Sequence, residues 1–234
     1  MNLKRILTVG LLALPLSFFA GTAGATAVTG IANIAGNVSV TNTDVNFAPT
    51  FTTAGPGATE TGDFAGLTGG TIMSLHGGPQ TGTVNIPNFM SFVTPTATVW
   101  FDLTYIAPGT GNTADCSSSN PGAQCTPVIG GQKSPFTLLQ LTSNTVIASL
   151  QLNGEAYIQP KSSGFSNAVG IFSTQFVMPG TIPGVLAQLS SGGINGVTYS
   201  ASFTATPVPE PASMLLVGLG LIGAGLIARR KVSA

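Results

Sequence analysis

The segment Gly196-Val197-Thr198-Tyr199-Ser200-Ala201-Ser202-Phe203-Thr204-Ala205 decides the fold class of this chain. Its odd-numbered positions hold apolar side chains, and the even-numbered positions between them hold hydroxylated ones. Because successive side chains of a strand point to opposite faces of a sheet, this alternation predicts a half-buried antiparallel strand. Residues 98–106 repeat the pattern with one apolar and one largely polar face: Val99, Phe101, Leu103 and Tyr105 against Trp100, Asp102 and Thr104.

Strand patterns recur along the middle of the chain, separated by Gly, Pro and Asn turn signals. The further candidates are 37–47, 71–75, 136–142, 145–152, 155–159 and 170–177. Asn153-Gly154 predicts a tight hairpin, and residues 182–189, with Pro183 near the start, predict a short helix. Residues 48–96 are rich in Gly, Pro and Thr, which predicts long loops or a flank with few strands. We therefore expect one all-β domain, an antiparallel β-sandwich or jelly-roll-like fold, with 136–205 as its core.

Charge is scarce in this chain. Charged residues make up 6% of it, whereas they make up about a quarter of an ordinary globular domain. Residues 26–206 contain six acidic residues and two lysines. A mildly acidic surface argues against nucleic acid and against anionic membrane surfaces as partners. Ser, Thr, Asn, Gln and Gly are left to form the solvent-facing surface, as is common in secreted β-proteins.

The first 25 residues have the composition of a secretory signal peptide. Lys4 and Arg5 precede an apolar run over 6–20, and Ala23-Gly24-Ala25 supplies small residues for cleavage. We expect cleavage after Ala25, with a site after Ala27 as the alternative.

The other end of the chain has three parts in order. Val208-Pro209-Glu210-Pro211 is followed by an uncharged apolar run over 212–228, and then by Arg229-Arg230-Lys231. A helix over 212–228 would be about 25 Å long, slightly short of a hydrocarbon core of about 30 Å. The basic cluster would stay in the cytoplasm, so the preceding domain would lie outside the membrane.

This arrangement, with a signal peptide at the opposite end, resembles the PEP-CTERM sorting signal of bacterial exported proteins. The resemblance covers residues 207–234 and not the domain at 26–206. It implies handling by an exosortase, a membrane protease and transpeptidase, and an association with exopolysaccharide and biofilm. Without the resemblance, Pro209-Glu210-Pro211 would be read as a stiff linker ahead of a simple anchor. A permanent single-pass anchor without processing remains the alternative fate.

Two cysteines, Cys116 and Cys125, lie in a polar loop over 112–127. In an oxidising compartment this pair predicts a disulfide that closes the loop. A pair of metal ligands is the alternative, although no third or fourth ligand is near in sequence.

Groups for catalysis or metal binding are few. His76 is the single histidine and lies at a strand-to-turn junction, where a solvated histidine is the ordinary outcome. Glu60 and Asp63 share a loop and are candidates for a calcium site, or are simply solvated. Asp102 and Glu155 are the one carboxylate pair to test for glycosidase chemistry. Trp100 and Asp102 share a strand face, where they form a candidate glycan contact or a structural pair.

We therefore predict a non-catalytic exported protein of the cell surface or extracellular matrix, with no metal and no cofactor. Its expected partners are the membrane, through the C-terminal helix, an exosortase-type enzyme, and exopolysaccharide; nucleic acid is not expected. The alternative is a secreted carbohydrate-binding or carbohydrate-active domain that uses Trp100 and Asp102.

Overall fold

A computed structural model of the chain describes residues 27–55, 59–77, 81–208 and 219–220. The predicted signal peptide over 1–25 lies outside these residues, as does almost all of the predicted span over 212–228. The strands are β1 Gly30–Val40, β2 Val45–Phe47, β3 Thr50–Thr53, β4 Gly69–Ile72, β5 Gly82–Val93, β6 Thr98–Ile106, β7 Gln124–Cys125, β8 Val128–Ile129, β9 Gln132–Lys133, β10 Phe136–Thr142, β11 Thr145–Ile158, β12 Ser166–Phe176 and β13 Ile194–Pro207. Helix α1 spans Ile182–Ser190, and 3-10 helices span Gly62–Phe64, Thr113–Ser117 and Lys161–Ser163.

Eight strands form one closed antiparallel sheet in the order β12–β13–β1–β3–β4–β5–β6–β11, and β11 pairs again with β12. The predicted all-β antiparallel class is confirmed, but the predicted sandwich is not, because the strands close into a single barrel. The reason lies in β11, which is 14 residues long. One edge of β11 pairs with β12, while the other pairs first with β10 and then with β6. Such closure leaves the ring without free edges.

The predicted hairpin at Asn153-Gly154 is wrong, since both residues lie inside β11. Gly154 is needed there for close packing: a Cβ at this position would lie 2.0 Å from the carbonyl oxygen of Asp102. The register between β6 and β11 also shifts at this point, as expected where a glycine marks a bulge. The shift moves Tyr105, predicted on the apolar face, to the outside at 37% exposure, and Ile106 is buried in its place.

The region 48–96, where long loops or a flank with few strands were predicted around one strand over 71–75, contains three strands, β3, β4 and β5. β4 overlaps the start of the predicted strand, whereas β3 and β5 were not predicted. β5 is 12 residues long, but its register with β6 shifts twice, between Thr83 and Ile86 and between Ile86 and Met90. The bulges break the alternation of apolar and polar residues that would reveal a strand in the sequence. The predicted strand over 37–47 is likewise divided into β1 and β2.

Aromatic rings fill the interior of the closed sheet. Phe203, on β13, lies with its ring centroid 5.1 Å from Phe92, 5.5 Å from Phe101 and 5.4 Å from Phe172. These edge-to-face contacts are favourable beyond the area they bury. Gly170 makes room for them, because a Cβ there would lie 2.3 Å from the Phe203 ring. The predicted inward face of β13 is confirmed by the burial of Tyr199, Ala201, Phe203 and Ala205.

The segment between β6 and β10 packs with α1 over a second, smaller core. The predicted disulfide between Cys116 and Cys125 is present there, and Cys125 is fully buried. The predicted short helix is also confirmed; the side chain of Thr181 caps it by accepting a hydrogen bond from the Gly184 amide. Gln140, on β10, is fully buried and connects this strand to the start of α1. Its Nε2 donates to the carbonyl of Gly180, and its Oε1 accepts from the Ile182 amide.

We expect replacement of both cysteines by serine to lower the free energy of unfolding by about 2–3 kcal/mol, because the unfolded chain regains the entropy of an open loop. Thermal unfolding of the oxidised protein and of the double variant measures this difference. Ser117→Ala in the same loop is the matched control, and its unfolding midpoint should equal that of the parent protein. Equal midpoints for the double variant and the parent would contradict the stabilising role.

Candidate functional site

The Asp102 carboxylate, on the outer face of β6, accepts a hydrogen bond from a backbone amide in a bulge of β5. Asn88 lies in that bulge with φ of 52°, a left-handed conformation that asparagine tolerates better than most residues. The bulge frees its amide from the sheet, and this N–H donates to Oδ1 of Asp102 over 2.7 Å. The Tyr157 hydroxyl, from β11, lies 3.1 Å from the same oxygen and 2.9 Å from Oδ1 of Asn88. Asp102 is only 7% exposed, so its carboxylate is part of the local structure.

Lys161 completes this network from the loop after β11. Its Nζ lies 2.6 Å from Oδ2 of Asp102 and 2.8 Å from Oε2 of Glu155, and 5.2 Å from the centroid of the Tyr157 ring. Burial disfavours the ammonium, but its hydrogen bonds to Asp102 and Glu155 outweigh that effect and raise the pKa of Lys161 to about 12. Burial likewise opposes ionisation of Asp102, yet the hydrogen bonds from Lys161, Asn88 and Tyr157 lower the pKa of its carboxyl.

The two carboxylates proposed as a glycosidase pair are directly opposite each other on β6 and β11. Both bind the same ammonium, whereas a glycosidase holds its two carboxylates apart across the bond to be cleaved. The geometry is that of an ion-pair network. Lys161 contacts both carboxylates but was missed in the sequence, because no local pattern links residue 161 to residue 102.

Aromatic side chains lie beside the network. Trp100 is half-buried and pairs across the strands with Tyr157. Phe165, which directly precedes β12, is 39% exposed. Because Asp102 is buried and bonded, a glycan at this face would meet Trp100, Lys161 and Glu155 rather than the Asp102 carboxylate. Sequence patterns indicated Trp100 and Asp102 but not Asn88, Tyr157 or Lys161. Pro87, directly before Asn88 in β5, was the sequence signal that could have indicated a bulge.

The remaining candidate groups lie apart from this network. His76 is exposed, and its Nδ1 lies 3.1 Å from Oδ1 of Asp44. Hydrogen bonds from Thr43 and then from His76 lower the pKa of the Asp44 carboxyl. Asp63 accepts a hydrogen bond of 2.7 Å from the Thr29 amide, so it helps to hold the start of the domain. Within the described residues no three His, Cys, Asp or Glu side chains are grouped to hold a metal ion, and Glu60 and Asp63 have no further acid beside them.

Both chain ends of the domain leave from the same end of the closed sheet. Gly30, which begins β1, pairs with Ala205 near the end of β13, and Pro207 pairs with Ser166. The first and last strands of the described domain therefore begin and end next to each other. Comparison with known protein families identifies the segment that begins at the end of β13. Residues 207–231 carry a PEP-CTERM protein-sorting motif.

The PEP-CTERM motif confirms the resemblance stated from the sequence and implies export, a C-terminal association with the membrane and processing by an exosortase-type enzyme. Of the predicted sorting-motif residues, Val208 is described; Pro209, Glu210, Pro211, Arg229, Arg230 and Lys231 lie outside the described residues, as do Ala23 and Ala25. No curated protein and no solved structure matches the chain. In the part of the chain that the structure describes, no helix has the length and apolar character to cross a membrane.

We expect Asp102→Asn to lower the free energy of unfolding by about 1–3 kcal/mol at pH 7, since it removes a charged acceptor from a buried network. The folded-state pKa of Asp102 lies below its unfolded value of 3.8. Its contribution is therefore present above pH 3.8 and is lost as the pH falls through the folded-state pKa. Denaturant unfolding at pH 7 and at a series of decreasing pH values below 3.8 measures this. Asp115→Asn, in a surface 3-10 helix, is the control; a difference that does not shrink in acid would contradict the assignment.

Proposed function

We propose that this chain is a non-catalytic exported protein that an exosortase-type enzyme sorts at the outer side of the cytoplasmic membrane. The observation that carries the proposal is the PEP-CTERM motif at residues 207–231. The mature domain would be delivered to the cell surface or extracellular matrix and associate with exopolysaccharide. A single end of the domain would face the membrane, in keeping with the pairing of Gly30 with Ala205.

The motif suits a membrane-bound processing enzyme for physical reasons. Pro209 and Pro211 favour an extended backbone and would stop the membrane helix from continuing outward. Glu210 is costly to bury in hydrocarbon, so it would stay at the outer interface. Arg229, Arg230 and Lys231 would hold the other end in the cytoplasm. The enzyme would then meet an extended peptide between a folded domain and a membrane helix.

A non-catalytic role is supported by the arrangement of the acids. The Asp102 carboxylate accepts hydrogen bonds from Asn88, Tyr157 and Lys161. Its lowered pKa keeps it ionised at neutral pH, which suits a structural ion pair better than a general acid, whose pKa is matched to the working pH.

We expect the exported protein to lack its C-terminal residues, with a new C-terminus near Pro209–Pro211. Intact-mass analysis of the protein from the source cells measures this. Replacement of Pro209, Glu210 and Pro211 by alanine should leave a protein that still ends at Ala234 and stays in the membrane fraction. Thr206→Ala, just before the motif, is the matched control and should be processed normally. A parent protein that still ends at Ala234 would refute processing and leave the permanent anchor.

A carbohydrate-binding domain is the second candidate, favoured by the half-buried Trp100, which pairs with Tyr157, and by the partly exposed Phe165. Aromatic rings can pack against the apolar faces of sugars, and Lys161 and Glu155 could bind sugar hydroxyl groups.

For this second candidate, we expect saturable binding on a glycan array that Trp100→Ala abolishes. Tyr105→Ala is the control, because Tyr105 is a partly exposed aromatic residue on the same strand away from the network. Unchanged binding by Trp100→Ala would exclude this face as the glycan contact.

A further inference from the structure

Three neighbouring strands of the closed sheet carry no charge. β12, β13 and β1 contain no Asp, Glu, Lys, Arg or His along their whole length. Their inner faces form the aromatic core, but their outer faces meet solvent, where charged side chains are normally frequent. The outer face of β13 has hydroxyl groups at five successive outward positions: Thr198, Ser200, Ser202, Thr204 and Thr206. Folding alone does not require three adjacent solvent-facing strands to lack charge, so this surface is a candidate for a binding role.

This face also has a groove. Two adjoining hollows, of about 520 Å³ and about 420 Å³, lie over β13 and share Ser173 and Ser200. Ser200 and Ser202 form the floor, and Ile171, on β12, is 51% exposed at its side. Asn33 on β1 and Gln175 on β12 supply amides at its margins. Among the described residues that line the two hollows, none is charged.

The backbone restricts what can bind here. β12 pairs with β11 and β13, β13 with β12 and β1, and β1 with β13 and β3. Because these strands are hydrogen-bonded on both sides, a peptide cannot bind by adding a strand to the sheet. A partner must be bound by side chains alone, and the side chains offered are hydroxyls and amides, which both donate and accept hydrogen bonds.

The chemistry of the groove distinguishes among the partners that remain. An anionic polymer would find no cation to pair with. A second protein, including a second copy of this chain, would find few large apolar or arginine side chains, and serine is depleted in the centres of protein interfaces. A neutral polysaccharide would match the groove: its hydroxyls would pair with Ser200, Ser202, Asn33 and Gln175, while its apolar ring faces would pack against Ile171.

We propose that the groove over β13, lined by Asn33, Ile171, Ser173, Gln175, Ser200 and Ser202, binds an uncharged polysaccharide chain. The proposal rests on the proposed function only in that an exported domain must meet such a polymer. The groove residues on β12, from Ile171 to Gln175, pair with residues 147–151 of β11. Trp100 pairs with Tyr157, near the other end of β11, so the groove and the face around Trp100 are different surfaces. Binding to it requires neither sorting nor processing.

Affinity electrophoresis of the full chain in detergent, through gels containing neutral polysaccharides (dextran, hydroxyethyl cellulose) or the anionic alginate, tests the proposal. We expect retardation by at least one neutral polymer and none by alginate. Ser200→Glu should weaken binding about tenfold or more, because the complex would bury an unpaired carboxylate. Thr83→Glu, an exposed position on β5, is the matched control and should bind normally. Ile171→Ala is the second variant and carries the test if Ser200→Glu fails to fold.

Each other outcome overturns the proposal. It fails if no neutral polymer retards the protein, if alginate alone does so, or if Ser200→Glu and Ile171→Ala bind as the parent does. Loss of binding in Trp100→Ala with full binding in Ser200→Glu would assign glycan recognition to the other face. Concentration-dependent dimerisation that Ser200→Glu prevents would make the groove a contact between two copies. None of these results bears on C-terminal processing, which the mass of the exported protein tests separately.

Discussion

The pairing of β11 with β12 is the constraint on which the rest of the structure depends. Eleven residue pairs, from Val146–Phe176 to Ala156–Ser166, join these strands and close the sheet. Closure gives the domain one interior, which the aromatic side chains of several strands fill from all sides. It also gives two ends, and the antiparallel order brings the start of β1 and the end of β13 to the same one.

A closed sheet filled with phenylalanine needs places where a strand has no side chain. Gly170 lies under the Phe203 ring, and Gly154 lies against Phe101 and the backbone of Asp102. The second glycine coincides with the register shift that separates Tyr105 from the core and leaves Asp102 and Glu155 directly opposite each other. A second bulge, in β5, then aims the Asn88 amide at Asp102. The ion-pair network thus forms beside two irregularities in the ring, and the Asp102 carboxylate accepts a hydrogen bond from the amide in the second one.

Sequence reasoning succeeded where the pattern is local. The alternation in 196–205 predicted which side chains of β13 face the core, the cysteines predicted their disulfide, and residues 182–189, with Pro183 near the start, predicted a short helix. It failed where a strand is interrupted. Asn153-Gly154 has the composition of a hairpin turn, and Pro87-Asn88 breaks the alternation of β5, so one strand was divided and another was missed. The ion-pair network of the candidate site could not be predicted either, because Lys161 and Asp102 are 59 residues apart in the sequence. Only strand pairing brings them together.

The sequence by itself determined the all-β class of the domain and its C-terminal sorting motif. Alternating side chains, a pair of cysteines and a C-terminal sorting motif are each encoded within a few residues, so they can be recognised without knowing where the rest of the chain lies. Only the tertiary structure decided that the sheet closes, that both chain ends leave from one end, and that three uncharged strands lie side by side under a groove. These features depend on which strand pairs with which and in what register. Those choices are made by contacts among residues far apart in the chain, such as the packing of Phe203 against Phe92, Phe101 and Phe172.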